Sequence, residues 1–305
     1  KKMVVYSICP ICNSIAIQNV LAVKDFTVSN QLFDVWQCNT CSVRFTQNAP
    51  DQNEIVPYYK SDTYVSHTDT KKGLINYLYH LIRKKTLVGK RKLVTKESQK
   101  RQGKILDIGC GTGAFLNEMQ TNKWAITGLE PDDLARNKAK ELYGINSLPS
   151  NKLFTLPPDT YDAITMWHVL EHVHELKEYI EQIKLVLKVG GKLFIAVPNY
   201  LSYDAQLYKE FWAAYDVPRH LYHFTPASIK NLLFNCGNLE VKQIKPMWFD
   251  SFYVCMLSEQ YKGGNIFKSF YNGLVSNIKA MEDTNKCSSL IYVIEKTKDA
   301  VPIDA

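Results

Sequence analysis

From residue 103 onward the apolar positions switch repeatedly between strand-like runs and helical spacing. Lys104–Ile108 reads as a buried strand, and apolar positions follow helical spacing from Ala114 through Met119. Ala125–Glu130 is a second strand run. Pro131-Asp-Asp then opens a helix that reaches Tyr143 and closes at Gly144. Tyr161–Met166 forms the next strand, and Tyr179, Ile180, Ile183, Val186 and Leu187 mark a helix stopped at Gly190-Gly191. Lys192–Val197 is strand again. Thr225-Pro226 caps a helix running to about Cys236, with Gly237 behind it. Glu240–Trp248 and Leu290–Lys296 alternate like two further strands, with helix expected between them around 251–281. This alternation is that of an α/β domain over 103–305, including a segment at 199–224 rich in Tyr, Trp and Phe.

The pattern before residue 103 is different. Strands are expected around Ile17–Val23 and Phe33–Gln37, framed by Cys9-Pro-Ile-Cys12 and Cys38-Asn-Thr-Cys41. Each C-x-x-C turn can present two sulfurs to one ion, and zinc favours four thiolates in a tetrahedron. Residues 1–48 thus read as a small zinc ribbon, the alternative being redox thiols. So short a unit buries little apolar surface, and the metal would stabilise it. Residues 49–102 read as a helical basic linker. Pro57-Tyr-Tyr59 and Tyr64 suggest packing, and Leu74, Tyr77/Leu78, Leu81/Ile82 and Leu87/Val88 follow helical spacing.

Composition changes this picture in three ways. With 46% hydrophobic and 22% charged residues the chain is globular in character. No apolar run is long enough to span a bilayer and no secretory h-region stands at the start, so a cytoplasmic protein is expected. Eight cysteines, four of them in paired C-x-x-C turns, then point to metal binding in a reducing compartment rather than to disulfides. The net charge of +7 is local: residues 83–104 hold ten Lys/Arg against Glu97 alone. That run is either a solvated helix face or an attractor for an anionic substrate, RNA or a phospholipid surface.

The strongest chemical signal is Asp107-Ile-Gly109-Cys110-Gly111-Thr-Gly113, between the first strand of the α/β region and its helix. Glycines there permit a tight turn and close approach of a ligand, and the helix start offers free N–H groups. The spacing is neither the dinucleotide G-x-G-x-x-G nor a P-loop. Asp107 would repel a pyrophosphate but welcome a cationic amine. Glu130, ending the second strand, can accept hydrogen bonds from both hydroxyls of a ribose. S-adenosylmethionine satisfies these demands, whereas a dinucleotide or flavin would fit less well.

The stretch resembles the first motif of class I S-adenosylmethionine-dependent methyltransferases, and Tyr161-Asp-Ala-Ile and Leu187-Lys-Val-Gly-Gly-Lys-Leu are similar to that family's fourth strand and the turn before its fifth. The resemblance covers roughly 103–248. It implies a Rossmann-like, mostly parallel sheet closed by an antiparallel hairpin. It also implies a donor site at Asp107, Gly109, Cys110, Gly111, Gly113, Glu130, Pro131, Trp167 and His168. The acid that many relatives place before Leu156-Pro157 is missing, leaving Asn151, Leu153 or backbone for the adenine.

Two constellations could carry chemistry. His168-x-x-Glu171-His172 follows the Tyr161–Met166 strand and is expected to open a helix, which sets aside the zinc-protease reading of H-x-x-E-H. It looks like the Glu-x-x-Glu-His signature of ubiquinone-pathway O-methyltransferases, which are associated with a divalent metal, with His168 replacing the first Glu. Alternatively Glu171-His172 only caps and orients the helix. The second constellation is Arg219-His220-x-Tyr222-His223, on a lid over 199–224. There His220 or His223 could take the acceptor's proton, with Tyr222 and His168 as substitutes, unless these residues only hold the lid together. The domain order also resembles sugar C-methyltransferases and ribosomal-RNA guanine methyltransferases that begin with a zinc module. The expected activity is methyl transfer to oxygen or carbon of a small molecule, potentially anionic. RNA methylation, or a non-catalytic RNA- or protein-binding scaffold, is the alternative.

Overall fold

The computed structural model describes residues 2–59 and 74–298, with backbone only over 74–83. Tyr64 and the side chains of Leu74, Tyr77, Leu78, Leu81, Ile82 and Arg83 therefore lie outside the described residues.

The larger sheet has six strands: β6 (Lys104–Ile108), β7 (Ala125–Leu129), β8 (Tyr161–Trp167), β9 (Leu187–Pro198), β11 (Leu239–Pro246) and β12 (Ser289–Lys296). Their spatial order is β11-β12-β9-β8-β6-β7. The pairs β6–β7, β6–β8 and β8–β9 are parallel, while β12 runs antiparallel to both β9 and β11. Beyond β7 a single parallel bridge, Leu129 to Leu148, continues the sheet. Apart from Trp167 at its end, β8 is buried along its length, as a central parallel strand covered on both faces must be. In this register Asp107 stands level with Gly128 on one side and Thr165 on the other, so the strand-end groups share one edge of the sheet.

Local rules explain most helix ends. The helices are α1 (Leu74–Glu97), α2 (Ala114–Thr121), α3 (Asp133–Tyr143), α4 (Leu176–Val186), α5 (Tyr203–Tyr208) and α6 (Pro226–Cys236). Asp132 caps α3 by accepting from Leu134 and Ala135 N–H, and Gly144 closes it in a left-handed conformation. Thr225 and Ser228 form a capping box on α6, with Pro226 in the first turn. The helix expected around 251–281 is two helices, α7 (Asp250–Lys262) and α8 (Ile266–Glu282), because Gly263-Gly264 interrupts it and Asn265 caps a new start.

The helix expected directly after β8 does not form there. His168 takes a left-handed backbone (φ 58°) and Leu170–His172 makes a single 3₁₀ turn; α4 begins only at Leu176. Glu171 and His172 consequently cap no α-helix.

The N-terminal strands are β1 (Met3–Val4), β2 (Ile17–Lys24), β3 (Leu32–Cys38), β4 (Arg44–Thr46) and β5 (Ala49–Pro50). They do not form an isolated unit. β10 (Tyr222–His223), at the end of the aromatic segment, adds to β4 with Tyr222 opposite Phe45 and His223 opposite Arg44. The resulting sheet runs β10-β4-β3-β2. Cys9, Ile11, Val43 and Phe45 share one apolar core with Ile108, Met166 and Leu221.

Candidate functional site

Four elements converge at the ends of β6, β7 and β8. In the turn after β6, Gly109 has φ 71°, and a Cβ there would run into the Val169 side chain; only glycine satisfies both constraints. Gly111 (φ 52°) is different: a Cβ would meet nothing within 4 Å, so open space faces this backbone. Glu130 Oε2 accepts from Gly111 N–H at 2.8 Å and Oε1 from Asp132 N–H at 3.0 Å, which ties the end of β7 to the loop. Asp107 is buried and accepts from Thr165 Oγ1 at 2.6 Å. Burial pushes its carboxyl up to about 7, against the Thr165 hydrogen bond and the charge of Lys90. Burial likewise raises Glu130. Cys110 is buried, its thiol pushed up to about 12, and Pro131 is exposed beside the turn.

Trp167, at the end of β8, packs edge-on against Phe115 with ring centroids 5.5 Å apart, and its buried Nε1 has no hydrogen-bond partner. Lys90 of α1 lies over the same ring, 4.3 Å from its centroid. Burial lowers the Lys90 ammonium, opposed by the charges of Asp250 and Asp107.

The histidines gather around Glu171, beyond the end of β8. His168 Nε2 lies 2.9 Å from Asp250 Oδ2, and Nδ1 lies 3.4 Å from Glu171 Oε1. Burial opposes its charge, but Asp250 first and then Glu171 outweigh that and raise His168 to about 10. Its ring is still 34% exposed. Glu171 is fully buried, and neither carboxylate oxygen has a hydrogen-bond partner. Burial resists its ionisation, yet His168 and His220 hold it below the usual carboxylate range. Glu171, His172 and His220 each bring a ligand atom within 4.8 Å of the others.

The tautomers follow from the partners. His172 Nδ1 lies 3.0 Å from Arg219 O, and His220 Nδ1 lies 2.8 Å from Ala214 O. A carbonyl only accepts, so each Nδ1 carries hydrogen and each neutral ring keeps its lone pair on Nε2. Burial, and repulsion from His220 whenever that ring carries a proton, lower His172 to about 4.

Tyr222 and His223 are not brought to this cluster. Tyr222 Oη meets Tyr6 Oη at 2.9 Å and donates to His174 O at 3.2 Å. His223 Nε2 lies 3.3 Å from Thr46 Oγ1, its ring packs edge-on to Tyr215, and burial drives its pKa well below the usual value. Leu153, a candidate for the adenine, is fully buried in the core, and Asn151 is exposed. Lys90 and Asp250, which the sequence pattern did not single out, border the site; Lys90 was one cation in a run and Asp250 an unremarked helix start.

At the N-terminal end, Cys9 Sγ and Cys41 Sγ are 3.5 Å apart and Cys12 Sγ and Cys38 Sγ 3.6 Å, and all four sulfurs lie within 4.8 Å of one another. Four thiolates about 2.3 Å from one ion would be spaced by about 3.8 Å, so the arrangement suits a tetrahedral metal. None of the eight cysteines is in a disulfide.

A mostly parallel sheet with a glycine turn after β6, acids at two adjacent strand ends and an antiparallel closing hairpin defines the class I S-adenosylmethionine-dependent methyltransferase fold. The chain belongs to the methyltransferase domain family, whose model matches residues 79–242. Among curated relatives, it is 32% identical over 104 residues to a ubiquinone biosynthesis O-methyltransferase of Aeromonas salmonicida, covering 32% of this chain and 43% of that protein. It is 27% identical over 119 residues to a demethylmenaquinone methyltransferase of Tropheryma whipplei, covering 38% and 50%. The chain thus spans about half the length of the curated relatives it matches. A solved structure from Galdieria sulphuraria, described as a putative sarcosine dimethylglycine methyltransferase, shares the fold: TM-score 0.50, 14% identity, 71% of this chain and 86% of that one. Among the described residues no helix is long and apolar enough to cross a membrane.

Proposed function

We propose that this chain transfers a methyl group from S-adenosylmethionine to an oxygen or carbon of a small-molecule acceptor, with His220 as the group that takes the acceptor's proton. The observation that carries this reading is the buried Glu171 carboxylate, without a hydrogen bond at either oxygen and 3.4 Å from His168 Nδ1, set with His172 and His220 beside the donor loop. A buried carboxylate held by a neighbouring charge alone, with no hydrogen bond, is costly, and a ligand or proton reaching it would lower that cost.

The donor supplies an activated methyl group on a sulfonium. Asp107 would accept from its ammonium or ribose side, Glu130 from the ribose hydroxyls, and the open face of Gly111 would let it lie against the backbone. Lys90 now shares the charge of Asp107, so a bound cation competes with it. His168, charged at neutral pH, cannot serve as base; it donates instead, and Asp250 orients it. His220 keeps a lone pair on Nε2, and Glu171 stabilises the imidazolium formed when it takes a proton. His223 and Tyr222 hold β10 against the ribbon.

Cys9, Cys12, Cys38 and Cys41 would hold one zinc ion as a closed structural site. The relatives named for quinone biosynthesis support a small aromatic acceptor over RNA. Arg91 and Lys100 of the basic run pair with Glu118 and Asp162, which leaves less of it for phosphates.

His220→Ala should cut single-turnover methyl transfer by about 10²–10⁴-fold while donor affinity by calorimetry stays unchanged. Turnover intact in His220→Ala would refute the assignment. Absence of donor binding at millimolar concentration would refute the reaction itself.

A further inference from the structure

The hairpin of α7 and α8 carries its polarity reversed. The α8 residues turned toward the protein are small or polar: Ser269, Asn272, Gly273, Ser276 and Ala280. Asn272 Nδ2 donates to Tyr208 Oη at 2.8 Å and to Glu259 Oε1 at 3.1 Å, and Ser276 Oγ donates to Asp204 Oδ1 at 2.7 Å. The outward face holds Phe267, Phe270, Leu274, Ile278 and Met281, spaced three and four residues apart, with Phe267 85% and Met281 77% exposed. An ordinary surface helix buries the apolar stripe and wets the polar one. Here the hydrogen bonds of the inner face fix the helix the other way, and Phe252 of α7 packs beside Phe270 with ring centroids 5.1 Å apart.

Charge selects what covers it. Between the buried Glu259 and Glu282 there are three lysines; Lys279 pairs with Glu282 at 3.2 Å, which leaves Lys262 and Lys268 as the cations of this face without an ion pair among the described residues. Lys262 and Lys268 flank the tip Gly263-Gly264-Asn265-Ile266-Phe267, where Ile266 is also exposed. We propose that this face docks on an anionic lipid surface, its rings and aliphatic chains entering the headgroup boundary while the lysines stay among the phosphates.

Cosedimentation of the chain with phosphatidylcholine vesicles, with and without phosphatidylglycerol, tests this. Binding should require phosphatidylglycerol and weaken as salt is raised. Phe267→Ser/Phe270→Ser should abolish it, and Lys262→Gln/Lys268→Gln should weaken it by at least about tenfold with the melting temperature unchanged. Donor calorimetry on both variants reports their folding separately from vesicle binding. The proposal is overturned if the native chain ignores anionic vesicles or if both variants bind like it. It is equally overturned if ultracentrifugation shows a dimer, lost in the Phe variant, without vesicle binding.

Discussion

Asp107 combines full burial with a single hydroxyl donor, and its proton is therefore tied to both stability and ligand binding. In the unfolded chain an Asp ionises near 4, whereas here it does so at about 7. The stability that goes with the protonated form is complete below about pH 4 and is lost as pH rises through 7. Donor binding has the opposite sign, since a cationic donor needs the ionised form. Affinity should fall by roughly tenfold per pH unit below about 7. Asp107→Asn should raise the melting temperature of the ligand-free protein at pH 8 and remove most donor binding; scanning and titration calorimetry between pH 5 and 8 check both. Asp107, Glu130 and the glycines were legible because strand, turn and helix lie within a few residues of one another. Lys90 and Asp250 were not, because a charged residue in a sequence does not announce its partner.

Among the elements, α6 shows local rules at full strength. Thr225 Oγ1 accepts from Ser228 N–H at 3.1 Å and lies 2.8 Å from Ser42 Oγ. Thr225→Ala should cost about 1 kcal/mol, up to about 2, by urea denaturation. The short strand β10 shows the opposite case. Two residues carry no period, so nothing in Tyr222-His223 foretold pairing with β4, yet that pairing joins the cysteine cluster to the segment holding His220. Cys38→Ser should therefore lower zinc content, measured by plasma emission, and also reduce turnover, although no cysteine of the cluster touches the donor loop. Normal turnover in a zinc-free variant would disconnect the two. The single turn at Leu170–His172 was expected to open a helix because it follows a strand in an alternating pattern, but the left-handed His168 interrupts the backbone and α4 begins only at Leu176.

At the scale of the molecule, Arg219 binds the parts together. Its Nη2 lies 3.1 Å from Asp25 Oδ1 and 2.6 Å from Asp216 Oδ1, and Nη1 donates to Tyr58 O at 2.9 Å. Arg219 and Asp25 are both buried, so removing the guanidinium leaves carboxylates without their counter-charge. Arg219→Ala should destabilise the protein by about 3–5 kcal/mol, read from denaturant midpoints. Arg219 had been grouped with His220, Tyr222 and His223 as one reactive stretch; the fold separates them, sending Arg219 to Asp25, Tyr222 to Tyr6, His223 to Thr46 and His220 to the Glu171 cluster.

What the sequence by itself determined is whatever depends on neighbours along the chain. That covers the order of strands and helices, the caps, the glycine turn with its two acids and the paired cysteine turns. Hydrophobic period and turn chemistry are set within a few residues, and they survive into the folded state because the core keeps them. Only the tertiary structure decided that the ribbon and the aromatic segment form one sheet, that α8 turns its apolar face outward, and which histidine stands beside Glu171. Those outcomes depend on pairing and burial between residues far apart in the chain, and closure brings them together without leaving a mark on the local pattern.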